Sequence, residues 1–417
     1  MGDVVKFGIV PIGGEAWLKD LREKARKQFE SNGFPTTRHE DWKYTNVAPI
    51  AAVKYSALPE GGGETSFDVG EGTGVLFVNG RFIKELGVLP KVQIGQLRNA
   101  FEKKETGVKE HFGRYASVEA NAFVALNTAL CDDGVFISIP DGVKVEKPIH
   151  LVFVSNAKSA FAFHPRILIV MGKGAQATIV ENYIGKEAGP YFNNVVTEIR
   201  LGKEARLEHY KIQREGESAF HVATVHAHQA ERSSLKSYSL SFGGALVRND
   251  IEVVFGAEGG FCALNGLYVV GDEQHVDHHT MIDHAVSHCS SEEFYKGIAA
   301  GKATAVFNGK ILVREGAQKT DAKQTNKNLL LSDEATIDSK PQLEIYANDV
   351  KCVHGAAVGK LDPEALFYLR SRGIDEKSAR SLLTGAFANE VLERIEQEPV
   401  RASLVNTVRV HLEKMHA

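Results

Sequence analysis

The sequence predicts a mainly β protein: a parallel β-helix core between a mixed, partly helical N-terminal region and a helical C-terminal one. Three observations lead there. Beyond Gly134, short strand-like runs succeed one another with little helix between them. Within that stretch a unit recurs after 28 and then 26 residues. It reads Phe192…Leu201-Gly202-Lys203-Glu204-Ala205-Arg206-Leu207, then Phe220…Gln229-Ala230-Glu231-Arg232-Ser233-Ser234-Leu235, then Leu246…Phe255-Gly256-Ala257-Glu258-Gly259-Gly260-Phe261. Helical spacing is concentrated toward the two ends of the chain. Repeats of this length, with strands and tight turns, suit a solenoid in which each rung stacks on the next. A β-sandwich is the competing reading, since many short strands with Gly turns fit it too.

Three regions follow: 1–130 helical and mixed, 131–358 the β-helix core, and 359–417 helical. In the first, Glu15 to Asn32 carries Trp17, Leu18, Leu21, Ala25 and Phe29 at helical spacing, and Gly33 stops it. The polar turn Phe34 to Thr45 holds two further aromatics, Trp42 and Tyr44, and Gly61-Gly62-Gly63 marks a loop. Gly74 to Ile83 reads as a hairpin around Asn79-Gly80. Helical patterns resume from Val92 to Ala129. Strand runs then come at Val135–Ile139, Ile149–Val154, Ile167–Met171, Ala177–Tyr183 and Val195–Leu201. Met171-Gly172-Lys173-Gly174-Ala175 fits the repeat's turn, and Gln274-His275-Val276 opens a further unit. In the last region Asp362-Pro363-Glu364 is an N-cap with proline at the first helical position, closed by Gly373. A second helix from about Asp375 to Glu396 has Ala379, Leu382, Leu383, Ala386, Phe387, Val391, Leu392 and Ile395 on one broad stripe. Pro399 breaks it, and Leu404, Val405, Val408 and Leu412 suggest one more. Such a stripe packs on the end of the solenoid or faces a partner.

The chain has 417 residues, 43% apolar and 24% charged, enough for a large core in two or three domains. A net charge of −4 leaves no basic footprint for nucleic acid. No apolar run is long enough to span a bilayer. Asp3, Glu15, Asp20 and Glu23 argue against a signal or transit peptide, so a cytoplasmic protein is expected. Cys131, Cys262, Cys289 and Cys352 include no CxxC pair, which excludes a zinc ribbon or a ferredoxin-type run from this chain alone.

The chemistry concentrates in Asp349-Val350-Lys351-Cys352-Val353-His354-Gly355-Ala356. Residues i and i+2 of a strand share a face, so Cys352 and His354 present a thiol and an imidazole side by side, ligands suited to zinc or iron–sulfur chemistry. Two ligands do not close a tetrahedral site, and the others must come from elsewhere. The strand His275-Val276-Asp277-His278-His279-Thr280-Met281-Ile282-Asp283-His284 also offers ligand types. Alternation puts His275, Asp277, His279 and Asp283 on one face, with His278 and His284 on the other, pointing inward. Stacked polar side chains on the solenoid surface are the favoured reading of the first set, and a stand-alone metal site is the alternative. Gly297-Ile298-Ala299-Ala300-Gly301-Lys302-Ala303 is one residue short for a phosphate loop and has Ala303 where a hydroxyl should sit. The polar run Lys319 to Ser332 reads as Asn and Thr ladders between rungs. A polysaccharide enzyme would need converging acids, and that signal is weak.

Residues 302–396 closely resemble the SufB/SufD family of the SUF iron–sulfur cluster assembly machinery, and within it the SufD branch. The resemblance rests on Ala305-Val306-Phe307-Asn308-Gly309-Lys310-Ile311, Gln318 to Asn326, Lys340-Pro341-Gln342-Leu343-Glu344-Ile345-Tyr346, Asp349 to Ala356, and Phe367-Tyr368-Leu369-Arg370-Ser371-Arg372-Gly373-Ile374. Pro35-Thr36 and Arg38-His39-Glu40-Asp41-Trp42-Lys43-Tyr44-Thr45 resemble the family's opening motif. The SufB branch has a glutamate where this chain has Gly355, and is the alternative reading. The resemblance implies a right-handed parallel β-helix and a non-catalytic scaffold subunit. Such a subunit pairs with SufB through the β-helix edges, with self-pairing of the isolated chain left open. It also implies docking of the SufC ATPase on the C-terminal helices, where Leu366, Phe367, Leu382, Leu383 and Phe387 are the candidates. His354, with Cys352 beside it, would serve iron entry or nascent cluster assembly shared with the partner. Sulfur would come from a cysteine desulfurase system, and a reduced flavin would accompany the complex.

Overall fold

A computed structural model describes residues 6–8, 14–56, 58–59, 67, 69–70, 72–88, 92–186 and 189–415; the Gly61-Gly62-Gly63 loop lies outside them. The chain opens with α1 (Ala16–Asn32), a 3-10 turn (Glu40–Trp42) and α2 (Ala48–Ala52). Strands β1 (Thr73–Val78), β2 (Arg81–Leu86) and β3 (Gln93–Gln96) follow, then α3 (Leu97–Glu102), α4 (Thr106–His111) and α5 (Ala122–Leu130). Next come β4 (Gly134–Ile139), β5 (Ile149–Ser155), β6 (Phe161–Phe163), β7 (Arg166–Met171), β8 (Gln176–Gly185) and β9 (Tyr191–Leu201). They lead into β10 (Arg206–Arg214), β11 (Ala219–Gln229), β12 (Ser234–Ser241), β13 (Leu246–Phe255), β14 (Phe261–Val270) and β15 (His275–His284). The last strands are β16 (Ser290–Ala299), β17 (Thr304–Val313), β18 (Asp321–Leu330), β19 (Thr336–Ile345) and β20 (Lys351–Gly359). Helices α6 (Pro363–Ser371), α7 (Glu376–Leu392) and α8 (Glu398–Met415) close the chain.

The strands form a parallel β-helix of two long sheets, and successive strands from β7 onward alternate between them. The first sheet runs β2-β1-β5-β8-β10-β12-β14-β16-β18-β20, and the second β19-β17-β15-β13-β11-β9-β7-β4-β3, with β6 beside β9. The competing sandwich reading fails because the long stack is parallel and in register. The repeat seen in sequence is the register itself: Phe192 pairs with Phe220, and Phe220 with Leu246. His275 then pairs with Leu246, so the further unit falls in line.

The repeat's turn has a physical cause. Gly174, Glu204, Arg232 and Gly259 stand at φ of 64°, 60°, 52° and 74°, a left-handed conformation that costs energy for the two residues with a Cβ. The stack offsets that cost with backbone hydrogen bonds along the solenoid. Gly174 N donates to Lys203 O at 2.8 Å, Glu204 N to Glu231 O at 2.8 Å and Arg232 N to Glu258 O at 3.0 Å.

Composition changes at Gly134, but the sheets begin earlier. β1 pairs in parallel with β5, while β2 folds back on β1 through Asn79-Gly80, both at positive φ. Residues 93–96, expected within a helical stretch, are instead a strand antiparallel to β4. So β2 and β3 cap the first edges of the two sheets. At the other end no such cap is present among the described residues: β19 and β20 are terminal strands in the sheet order, and β20 is exposed except at Cys352.

Each sheet's outer face is covered by an end of the chain. Phe7, Ala25, Phe29, Ile50 and Phe123 pack on Phe192, Val196, Val222 and Leu246 of the second sheet. On the first sheet, Ala388, Val391, Leu392, Ile395, Leu404, Val408 and Leu412 cover Val180, Tyr210, Ile212, Tyr238, Leu240 and Leu267. The C-terminal helices therefore lie along the solenoid's flank rather than across its end.

One buried ion pair fastens the N-terminal region. Arg166 and Glu198 are both fully buried, with Nη2 and Nε donating to Oε2 at 2.6 and 3.1 Å. Glu198 also accepts from the backbone N–H of Gly113, Tyr115 and Ala116, while the guanidinium lies 4.8 Å from the Phe112 ring. Burial pushes the Glu198 carboxyl up, but Arg166 and the three amides outweigh it and hold it below the ordinary value. A carboxylate lowered in the folded state adds stability above its unfolded value, lost as pH falls through the folded one. Glu198→Ala, which strands Arg166, should lower the unfolding free energy by about 3–5 kcal/mol in urea titration. Glu198→Gln should show a shallower loss of stability than wild type between pH 5 and about pH 3.

Candidate functional site

The inward face of each strand follows from burial. Along β18, Ala322, Gln324, Asn326 and Asn328 are buried, whereas Asp321, Lys323 and Lys327 are exposed. β20 pairs in register with β18, so Cys352 stacks on Ala322 and His354 on Gln324. Both candidate residues therefore extend interior columns of the solenoid at its uncapped end. Cys352 is half-buried against the apolar cluster of Ile311, Val313, Ala317, Ala322 and Ala347. Burial raises its thiol pKa, and the Asp321 carboxylate adds to the rise. His354 is exposed. A Cβ at Gly355 would meet nothing within 4 Å and the backbone there is unstrained, so packing does not require glycine. Around the pair the end exposes Ile345, Tyr346, Val353 and Val358.

Below this mouth the interior turns polar, which the sequence showed only in part. The expected Asn and Thr ladder between rungs does not form here, because Asn326 and Asn328 stand over Tyr295 and Gly297; instead Asn328 Nδ2 donates along its own strand to Asn326 Oδ1 at 2.6 Å, and Ser339 Oγ donates to the same oxygen at 2.7 Å. Tyr268 Oη, two rungs lower, donates to Asn328 Oδ1 at 2.6 Å. Gly297 allows that reach, since a Cβ there would lie 2.0 Å from the Tyr268 ring. The glycine that imitates a phosphate loop thus serves packing. Gln324 Nε2 donates to Glu293 Oε2 at 2.6 Å, and burial pushes the Glu293 carboxyl up to about 7. Deeper still, Glu181 Oε1 pairs with His209 Nε2 at 2.9 Å, and Lys211, lowered by burial to about 8, donates to Asn249 Oδ1 at 2.8 Å. Alternation with period two is the sequence signal for these columns.

The histidine strand splits as alternation predicts, with His278 and His284 buried in the interior. Its outward set fastens the opening motif. Asp277 accepts from Arg248 Nη1 at 2.6 Å and from Thr45 Oγ1, and His275 Nε2 is hydrogen-bonded to Thr45 Oγ1 at 2.8 Å. Arg248 also donates to Asp41 O at 2.9 Å and lies 4.2 Å from the Trp42 ring centre. His279 Nε2 sits 3.1 Å from Asp277 Oδ1, and Arg314 takes Asp283. Among the described residues no three His, Cys, Asp or Glu side chains converge as a metal-ligand set. That holds for this strand and for Cys352 and His354.

The docking candidates divide. Phe367 and Leu382 are exposed, Leu366 and Leu383 half-buried. Phe387 turns to the solenoid, where its ring receives Lys296 Nζ at 3.9 Å from the centroid and its carbonyl accepts from the same ammonium at 2.9 Å. No described helix is long and apolar enough to cross a membrane.

This architecture is that of a parallel β-solenoid protein, and comparison with known proteins gives the family. The SufBD core domain of the SUF system for FeS cluster assembly matches residues 153–387, and the SufBD N-terminal region matches 12–60 and 71–151. An iron–sulfur cluster assembly SufBD family protein of Synechocystis is 32% identical over 400 residues, covering 91% of this chain and 87% of that one. The iron–sulfur cluster assembly protein SufD of Escherichia coli is 30% identical over 389 residues, covering 91% and 89%. SufD of Bacillus subtilis is 26% identical over 417 residues, covering 94% and 93%. The chain belongs to the SufBD family and has a role in iron–sulfur cluster assembly.

The fastening of the opening motif is directly testable. Arg248→Met removes the ion pairs and leaves buried Asp277 with only Thr45 and His279 beside it, so stability should fall by about 3 kcal/mol. Trypsin should then cut at Arg38 or Lys43 faster than in wild type, followed by mass spectrometry.

Proposed function

We propose that this chain is a non-catalytic assembly subunit whose uncapped end pairs with a homologous SufB-type subunit and presents His354, with Cys352, to iron or a nascent cluster. The observation that carries this reading is where the pair lies: both residues extend interior columns at the one solenoid end left without a capping strand. The exposed Ile345, Tyr346, Val353 and Val358 supply apolar area of the kind a partner buries. Two ligands with no third nearby support a site completed by the partner. Gly355 supports the SufD branch over the SufB branch, because the open space there would accept the glutamate that SufB carries. In this reading the cluster or iron is cargo of the complex, and a reduced flavin belongs to the complex. The compartment proposed is the cytoplasm.

The exposed part of the C-terminal helices is the proposed contact for a SufC-type ATPase. Phe367 is 74% exposed and Tyr368 58%, unusual for aromatic side chains on a helix that follows a packed core. Leu382, 55% exposed, borders an apolar groove between α7 and α8 formed with Ala386, Leu392, Val405, Val408 and Leu412.

His354→Ala should fold and bind its partners like wild type, yet support less than about a tenth of wild-type cluster formation in anaerobic reconstitution on the assembled complex. Undiminished reconstitution would sink the assignment. Phe367→Ala combined with Leu382→Asp should weaken ATPase capture in a pull-down at least about tenfold, the loss of two apolar anchors, with thermal stability unchanged. Phe387→Ala should instead destabilise the fold, because its ring covers the Lys296 ammonium.

A further inference from the structure

We infer that Gln324 and Glu293 are positioning residues for His354, holding its imidazole in one tautomer with the other ring nitrogen free at the open end. The inference rests on the reading of His354 given above and adds how the chain prepares that side chain. One interior column runs Glu293, Gln324, His354 on three successive strands of the first sheet. Gln324 and Glu293 are each 1% exposed. The Gln324 amide nitrogen donates to Glu293 Oε2 at 2.6 Å, which fixes the orientation of the amide. Its oxygen, Oε1, is then a buried acceptor with no hydrogen-bond partner among the described residues, His354 included in the conformation it has here. A buried amide oxygen left unpaired is costly, and such groups nearly always find a donor. The next position in the column, about 4.8 Å away across the ladder, is His354.

The opposite sheet leaves room for this arrangement. Gly309 faces the pair, and a Cβ there would lie 2.3 Å from Gln324 Nε2 and 3.0 Å from Glu293 Oε2. Only a residue without a side chain fits. A neutral imidazole has one N–H and one lone pair, and the partner of the N–H decides which nitrogen is left to bind a cation. A rotation of the His354 side chain that brings a ring N–H onto Gln324 Oε1, a contact not made in the conformation described, would leave the second nitrogen unprotonated. The Glu293–Gln324 pair would thus do for His354 what an outer carboxylate or carbonyl does for a metal-binding histidine elsewhere.

The test uses the full chain without iron, labelled with 15N-histidine, at a pH where His354 is neutral. Its resonances are assigned by their loss in His354→Ala. Ring 15N shifts should report one dominant tautomer in wild type, at a ratio of about ten to one, the ratio one such hydrogen bond sustains. Gln324→Met keeps the length and removes the acceptor, and should bring the ratio close to parity. Gln324→Glu restores an oxygen there and should restore the single tautomer. Gly309→Ala pushes the amide aside without removing a polar group, and should also shift the ratio should Gln324→Met not fold. Wild-type shifts already averaged, or unchanged in Gln324→Met and Gly309→Ala, would overturn the inference. Because no iron is present, that outcome leaves the cluster-assembly role of His354 standing. Failure of His354→Ala to impair reconstitution would likewise leave the tautomer result standing.

Discussion

In-register parallel pairing is the constraint on which the rest of this molecule depends. With no shift between rungs, each inward residue stacks on the residue at the same position one strand before and one after. Side chains are thereby sorted into columns, and a column behaves as a one-dimensional stack with nearest-neighbour interactions. Some columns are apolar, such as Ala177, Leu207, Leu235 and Cys262. Polar columns need hydrogen-bond partners, and Gln, Asn and Tyr supply several of them, with two glycines letting long side chains lie along the axis. A buried tyrosine bonded two rungs up exists only because Gly297 lies between.

The same pairing exposes the outer faces of both sheets, and covering them is the task of the chain's two ends. Where apolar contact suffices, the helices simply pack. Where the outer face carries charge, each charge is buried with its opposite: Glu198 with Arg166, Asp277 with Arg248. Removing both partners of such a pair for apolar groups of similar size could be tolerated, whereas removing one leaves a charge without solvent or partner. That asymmetry explains why the opening motif, far away in sequence, closes on β13 and β15. Its Trp42 ring and Asp41 carbonyl complete the surroundings of a guanidinium that the sheet alone leaves half satisfied.

Much of this was legible in the sequence, for reasons visible in particular residues. Strands show as apolar runs, helices α1, α6 and α7 through their caps and stops, and the 28-residue spacing of Phe192 and Phe220 is the ladder register. The Cys352 and His354 pair was found by strand period alone. What escaped was relational. Gln93 to Gln96 has no strand signature of its own and becomes one because β4 offers it an open edge. The stripe on α7 looked like one surface, yet Val391 and Leu392 are buried while Leu382 is exposed, because the flank of the solenoid is narrower than the stripe. Gln324 and Glu293, separated by a whole turn of solenoid, become neighbours only through register, which no local pattern shows.

The uncapped end then takes its meaning from the columns. At β2 and β3 the sheets are closed by antiparallel strands, so nothing inside the solenoid is presented there. At β19 and β20 each column stops with its last side chain facing the position of an absent next rung. Two of those last side chains are the thiol of Cys352 and the imidazole of His354, a pair too small to hold a metal without further ligands. A second solenoid brought to this end would continue the columns and bury Tyr346 and Val353. It would also set its own last side chains against these two. In the function proposed, such a divided site would form only on assembly, so iron or a nascent cluster would be held where both subunits are present and not on the free chain. The hydrogen bond inferred beneath His354 fits that division, because it prepares one ligand in advance and leaves the coordination open for the partner to complete.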